Sequence, residues 1–183
     1  MAILICTIGG HDLTCIDLPK DGRGERGWAE EVLVRYNELR PLLRLPIIGK
    51  VLAHLHAQGL AADSVVLIAS RQQPSATGTP FWENDTFYTA AVITRLLTEG
   101  FSDYTPIPAY RINTWIIADE SGVGDDPSDY DLVLGFLERR LALLATITPR
   151  GMVFLKVTGG TPAITTRLLI AGTEAFGPHV MIV

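Results

Sequence analysis

The stretch Val157–Leu169, "VTGGTPAITTRLL", follows the apolar run "GMVFLKV" and passes from strand chemistry to helix chemistry within a few residues. The β-branched and large apolar residues before it suit a strand. The paired glycines suit a sharp turn, and Thr161 followed by Pro162 suits an N-cap and a first helical residue. A buried strand that turns at once into a helix is the working half of a βαβ unit, so this stretch predicts an α/β fold.

The same alternation recurs outward from it. "AILICTI" opens the chain as a strand, and "WAEEVLVRYNEL" and "PIIGKVLAHLHAQGL" have helical period, the second with Ile48, Val51, Leu52 and Leu55 on one face and Gly59 as its stop. "SVVLIAS" is the second strand. After the long loop "RQQPSATGTPFWEN" comes the helix "DTFYTAAVITRLLTEG", which Asp85 or Thr86 can cap and Gly100 can end. "INTWIIAD" is the third strand, and the acidic loop "ESGVGDDPSD" leads to the helix "YDLVLGFLERRLALLATI", closed by Pro149. "GMVFLKV" and "HVMIV" are the fourth and fifth strands. Near-continuous apolar strands imply a sheet covered on both faces. The expected architecture is therefore a Rossmann-like α/β sandwich, a mostly parallel sheet of at least five strands with helices on both faces.

With 183 residues, 48% hydrophobic and 19% charged, and a mean hydropathy of +0.26, the chain reads as a single domain over 1–183. Its net charge is -5 and its pI about 5.3, so it lacks the basic field that holds a long nucleic acid through many phosphates. A phosphate ligand has to be held locally. Two cysteines, Cys6 and Cys15, make neither a zinc set nor a disulfide framework, which points to a reducing, cytoplasmic setting. No signal peptide and no apolar run of membrane-spanning length occurs, so no membrane contact by this domain is expected. The ending "GPHVMIV" stops on β-formers; the expectation is that a further effector domain follows, the alternative being a small protein that ends in its last strand.

In parallel α/β sheets the ligand crevice lies beyond the carboxyl ends of the strands, near a switch in their order. Two of those ends carry paired glycines: "TIGGHD", Thr7–Asp12, and "TGGTP", Thr158–Pro162. Free N–H groups near Gly160, Thr161 and Ala163 at a helix N-terminus make an anion seat, worth about 0.3–1 kcal/mol per charge when exposed and up to about 2 when partly buried. One such seat binds weakly, so several must converge. There is no G-x-G-x-x-G and no G-x-x-x-x-G-K-[ST], and either glycine pair alone is equally explained as a plain turn. The loop after the second strand opens with Ser70, Arg71, Gln72 and Gln73 at the same sheet edge, offering a guanidinium and amides.

Taken together, "ILICTIGGHD", "IASRQ", "NDTFYTAAVITRLL" and above all "VTGGTPAITTRLL" resemble the CRISPR-associated Rossmann-fold (CARF) sensor domains of type III ancillary effectors. The resemblance covers nearly the whole chain. It implies a homodimer whose glycine turns line a shared pocket for a cyclic oligoadenylate second messenger, with a fused effector controlled allosterically, in antiviral defence. It implies no cofactor and no metal. By family habit the cyclic tetra-adenylate is favoured over the hexa-adenylate. Carried onto this sequence, the ligand-binding positions are Gly9, Gly10, His11 and Asp12; Ser70, Arg71 and Gln72; Asp85 and Thr86; and Thr158, Gly159, Gly160, Thr161, Pro162 and Ala163. An even-membered ring can share the two-fold axis of a dimer, so contacts from Gly9, Gly10, Arg71 or Thr161 are made twice and weak seats add up. Trp82, Phe81 or Phe87 can stack on adenine or simply anchor the core.

Two enzymatic alternatives stay open. Relatives that cut the ring by metal-independent 2'-OH attack often carry a lysine soon after the last glycines, where this chain has Pro162. Lys156 lies upstream with its ammonium expected to face away, and His11 is a weak candidate acid or base, otherwise a ligand contact or a turn residue. The second alternative is a generic nucleotide-using enzyme. Its one candidate metal site, "DESGVGDDPSDYD", matches no EF-hand spacing and suits a solvated loop and N-cap. His54 and His56 are two apart on a helix and cannot chelate together, and Ser121 and Ser128 have no neighbouring histidine in sequence. Ile164, Leu168, Leu169 and Ala171 face either the core or a partner, with Arg167 a candidate rim contact.

Overall fold

The structure is a computed structural model that describes residues 2–72, 80–101, 105–117, 126–148 and 151–183, without the side chains of Pro80 and Phe81. Residues 73–79 of the long loop, Asp119–Asp125 of the acidic stretch with Ser121, Pro149 and the side chain of Phe81 lie outside the described part.

Five parallel strands form the central sheet, in the order β5(Ile112–Ile116), β4(Ser64–Ala69), β1(Ala2–Thr7), β6(Met152–Lys156), β7(Val180–Ile182). The expected α/β sandwich is therefore present, and strands alternate with helices along the chain. Between β1 and β4 lie α1(Glu25–Val34), α2(Tyr36–Leu39) and α3(Ile48–Ala57), and α4(Phe87–Glu99) joins β4 to β5. Helices α5(Tyr130–Ile147) and α6(Pro162–Phe176) precede and follow β6.

Side chains alternate across a strand, and the two faces of β1 sort accordingly. Leu4 and Cys6 join Val65, Leu67 and Phe154 under α1, α3 and α4. Ile3 and Ile5 join Val66, Ile68, Val153 and Leu155 under α5 and α6. Burial on both faces explains why β1 and β4 read as unbroken apolar runs. Ile164, Leu168 and Ala171 belong to the second core, facing inward rather than toward a partner, whereas Leu169 is half-buried.

The local signals give the element ends. Asp129 caps α5, its carboxylate accepting from the amides of Asp131 at 2.9 Å and Leu132 at 3.0 Å. Thr161 caps α6 by accepting from the Ile164 amide at 3.3 Å, with Pro162 in the first turn. Gly100 follows α4 at φ 84, a conformation costly for any other residue. Two features depart from the sequence expectation. "WAEEVLVRYNEL" breaks at Arg35 into α1 and α2, and a two-residue antiparallel ribbon pairs β2(Thr14–Cys15) with β3(Leu43–Arg44). Ribbons that short carry no period for sequence to show.

Among the described residues no helix is long and apolar enough to cross a membrane, and no group of three or more His, Cys, Asp or Glu is placed to hold a metal ion.

Candidate functional site

From β1 the chain continues to β4 and β5 on one side, then returns to β6 and β7 on the other, so the strand order switches between β1 and β6. These two strands are hydrogen-bonded neighbours with Cys6 opposite Lys156. Both glycine pairs therefore leave the sheet side by side. A Cβ on Gly9 would sit 2.7 Å from the Gly160 nitrogen and 2.9 Å from the Gly159 Cα, so the two turns touch backbone to backbone. Gly159 and Gly160 have φ of 100 and 79, the left-handed region that favours glycine.

The contact is braced from beneath by a buried ion pair that sequence reasoning missed. Lys156 ends β6 with its side chain wholly buried; its ammonium lies 2.5 Å from Asp12 Oδ1 and donates to the Thr7 carbonyl at 2.7 Å. Asp12 Oδ2 accepts from the Gly9 amide at 2.8 Å. The expectation that Lys156 faces away is corrected: it faces the first turn, and its partners leave it no reach toward a phosphate. A Cβ on Gly159 would meet Asp12 Oδ2 at 2.6 Å, so the second turn lies directly on the pair. Burial pushes the Asp12 carboxyl up from its ordinary range, while Lys156 and the Gly9 amide pull it back. Burial likewise pushes the neighbouring Cys6 thiol up to about 12, which leaves it a protonated core residue near neutral pH. A lone lysine ending an apolar strand just before a glycine turn was the available signal.

Above the turns lies a cavity of about 410 Å³. Its walls include Gly9, Gly10, His11 and Asp12 from the first turn and Gly159, Gly160 and Thr161 from the second. Ser70, Gln72, Asp85 and Thr86 stand on it too. The amides of Gly10, His11, Gly160 and Thr161 donate to no group among the described residues. Such unpaired donors at strand tips and a helix N-terminus suit an anion. Thr161 also donates its hydroxyl to the Pro127 carbonyl, tying α6 to the entry of α5.

Thr158, Pro162, Ala163 and Arg71 belong to the same segments but are not on the cavity wall. Arg71 is exposed, its guanidinium 4.9 Å from the Phe87 ring centre. Trp82 lies under the Arg26 guanidinium at 5.2 Å. The aromatic rings of Trp82 and Phe87 are thus engaged by arginines and stand off the wall. Arg167 also has a partner within the fold, donating to the Tyr130 carbonyl at 3.2 Å over the Tyr130 ring. Asp85 does not cap α4: it accepts from the Gln72 amide at 2.5 Å. Burial pushes its carboxyl up from the ordinary range, and the Gln72 amide, the Ser70 hydroxyl and Arg26 pull it back. Ser70 and Thr86 bond reciprocally, each amide donating to the other's hydroxyl at 3.1 and 3.3 Å, which fixes the exit of β4 to the entry of α4.

Sequence reasoning did not assign Ile8, Ile47, Asn84, Pro127, Ser128 or Ile164 to the wall. Ile47, Asn84, Pro127 and Ser128 come from connections, where no period marks them. Ser128 stands beside Thr161's partner Pro127, with its amide donating to Asp126 at 2.8 Å.

No family model and no curated protein matches the chain. Among solved structures, the chain is similar to Csm6 of Enterococcus italicus, in a structure described as bound to cyclic hexa-2'-fluoro-hexa-dAMP. The TM-score is 0.52 at 18% identity, and the match covers 100% of this chain and 32% of that one. This likeness is one of fold, and the chain spans about a third of the length of the Csm6 chain.

Proposed function

We propose that this chain is a CARF-type sensor domain that binds a cyclic oligoadenylate at the carboxyl ends of β1, β4 and β6. The observation that carries the reading is the convergence of two glycine turns on one cavity at the switch point of the sheet, with four of their amides donating to no group among the described residues. The sequence resemblance and the fold shared with Csm6, which was solved with a cyclic adenylate analogue, support it.

A cavity of 410 Å³ lies in the range of roughly 300–1,000 Å³ typical of small-ligand pockets. That is room for part of a cyclic oligonucleotide, so a whole ring calls for a second copy across a two-fold axis. In this proposal the chain acts as a homodimer in the cytoplasm, and ligand binding favours one dimer geometry, which a fused effector reads. Tetra-adenylate is the first expected ring on family habit. Hexa-adenylate is the second reading, favoured by the six-membered ring named in the Csm6 structure. In a sensor the ring is recovered intact: Lys156 is committed to Asp12 and Thr7, which leaves His11 as the imidazole on the wall.

Titration calorimetry of the purified chain with cyclic tri-, tetra- and hexa-adenylate, followed by chromatography of the recovered ligand, tests this. Heat with intact ring is the expected result. Linear products would replace the sensor by a ring nuclease, and silence for all three with a response to ATP or a dinucleotide would replace it by a generic nucleotide enzyme. Gly160→Asp is expected to abolish the heat by placing a carboxylate among the amides. The added Cβ meets nothing closer than Ile164 Cδ1 at 3.5 Å, so the fold is retained at about 1–2 kcal/mol for the left-handed backbone, with circular dichroism unchanged.

A further inference from the structure

The wall of the cavity beyond β4 is held from outside the sheet, by the first turn of α1. Arg26, its side chain 23% exposed, donates from Nη1 to the Gln72 carbonyl at 3.3 Å, and the same nitrogen lies 3.6 Å from Asp85 Oδ2. That oxygen in turn accepts from the Gln72 amide at 2.5 Å. Gln72 stands past the end of β4, so no ladder fixes it; Asp85 holds its amide and Arg26 its carbonyl. The guanidinium also lies over the rings of Trp82 and Tyr88, at 5.2 and 6.0 Å. One residue before the helix, Gly24 meets the same connection backbone to backbone. A Cβ there would fall 2.5 Å from the Glu83 carbonyl oxygen and 2.7 Å from the Glu83 Cβ.

Gln72, Asn84 and Asp85 line the cavity, whereas Gly24 and Arg26 do not. The three wall residues lie in the connection between β4 and α4, and a connection keeps a fixed geometry only as far as its neighbours impose one. Gly24 has φ -60 and ψ 154, extended backbone open to any residue, so the close approach to Glu83, not conformation, is what calls for glycine there. We propose that the start of α1 positions this wall. Arg26 ties Gln72 and Asp85 in place, and Gly24 lets Glu83, and with it Asn84, come close, so two residues off the wall set the affinity of the site. Both are positioning residues, and the inference rests on the reading of the cavity as a cyclic oligoadenylate pocket.

Two variants disturb the wall by different means. Arg26→Met keeps an apolar stem against Trp82 and removes both polar ties, while Gly24→Ala leaves Arg26 in place and pushes Glu83 away. Calorimetry with cyclic tetra- and hexa-adenylate gives the affinity of each folded variant, and urea unfolding gives its stability. Amide exchange by NMR compares Gln72 with Gly9, whose amide is held by Asp12 in the other wall. Both variants are expected to bind the ring that wild type binds about tenfold or more weakly, the order of loss when an outer partner orients a contact group. Exchange at Gln72 is expected to quicken and exchange at Gly9 to stay as it is. Should one variant fail to fold, the other carries the test. Wild-type affinity in a folded variant overturns the inference even where the urea midpoint falls, since a purely structural tie costs stability and leaves the folded site intact. Equal quickening at Gly9 overturns it too, as general loosening. A wild-type chain that binds no adenylate ring overturns the pocket reading and this inference together, so wild type alone tells the two failures apart.

Discussion

Lys156 and Asp12 show how one buried pair shapes the site from beneath the turns. Both side chains are fully buried, and their attraction has to offset the desolvation of two charges, so the pair is weak evidence of net stability. Its effect is positional: Asp12 holds the Gly9 amide and Lys156 holds the Thr7 carbonyl, so the first turn is gripped on both sides. Removing one partner strands the other. Lys156→Met is expected to cost about 3–5 kcal/mol in urea unfolding. Adding Asp12→Asn should return more than half of that, because the side-chain carbonyl still accepts from the Gly9 amide and no buried charge is left.

At the scale of elements, α2 and α4 are clamped at the end of the sheet opposite the cavity. The Tyr36 hydroxyl donates to Glu99 at 3.1 Å, while Arg95 and Arg40 each pair with the same carboxylate at 3.0 Å. Arg95 also stacks 3.9 Å from the Tyr36 ring centre and donates to Asn37. The Arg95 hydrogen bond first, then Tyr36 and Arg40, holds the Glu99 carboxyl below its ordinary 4.5. A carboxylate with a depressed folded pKa contributes stability above its unfolded pKa and loses it as pH falls through the folded value. Glu99→Gln is thus expected to flatten the acid limb of the urea midpoint between about pH 5 and 3 and to leave the limb above it parallel to wild type. Glu99 is partly exposed, so the effect is modest and shrinks in high salt.

For the whole molecule, the net charge of -5 sets how an anionic ring can be held. On the proposed reading, with no long-range attraction to draw on, the amides that donate to no group among the described residues would hold it at short range. Few counterions are then displaced on binding. The affinity for a cyclic adenylate is expected to fall by less than about tenfold between about 50 and 200 mM salt, whereas a surface neutralising six or more phosphates loses about a thousandfold or more. Calorimetry across that range checks it, and a steep slope would mean that arginines and lysines, not the turns, hold the ring.

By itself the sequence determined the alternation of strands and helices, the parallel sheet, both glycine turns and the Thr161–Pro162 start of α6, because each rests on the chemistry of adjacent residues. It also placed Ser70, Arg71, Gln72 and Gln73 at one sheet edge, since the end of an apolar run is visible locally; Ser70 and Gln72 stand on the wall, Arg71 does not, and Asp85 and Thr86 came from the family resemblance instead. It did not determine the order β5-β4-β1-β6-β7. Only that order sets Lys156 against Asp12 across 144 positions of chain and brings Asn84, Pro127 and Ser128 to one wall. The physical reason is that strand adjacency is decided by burying both faces of the sheet under all the helices at once, which no short window of sequence contains.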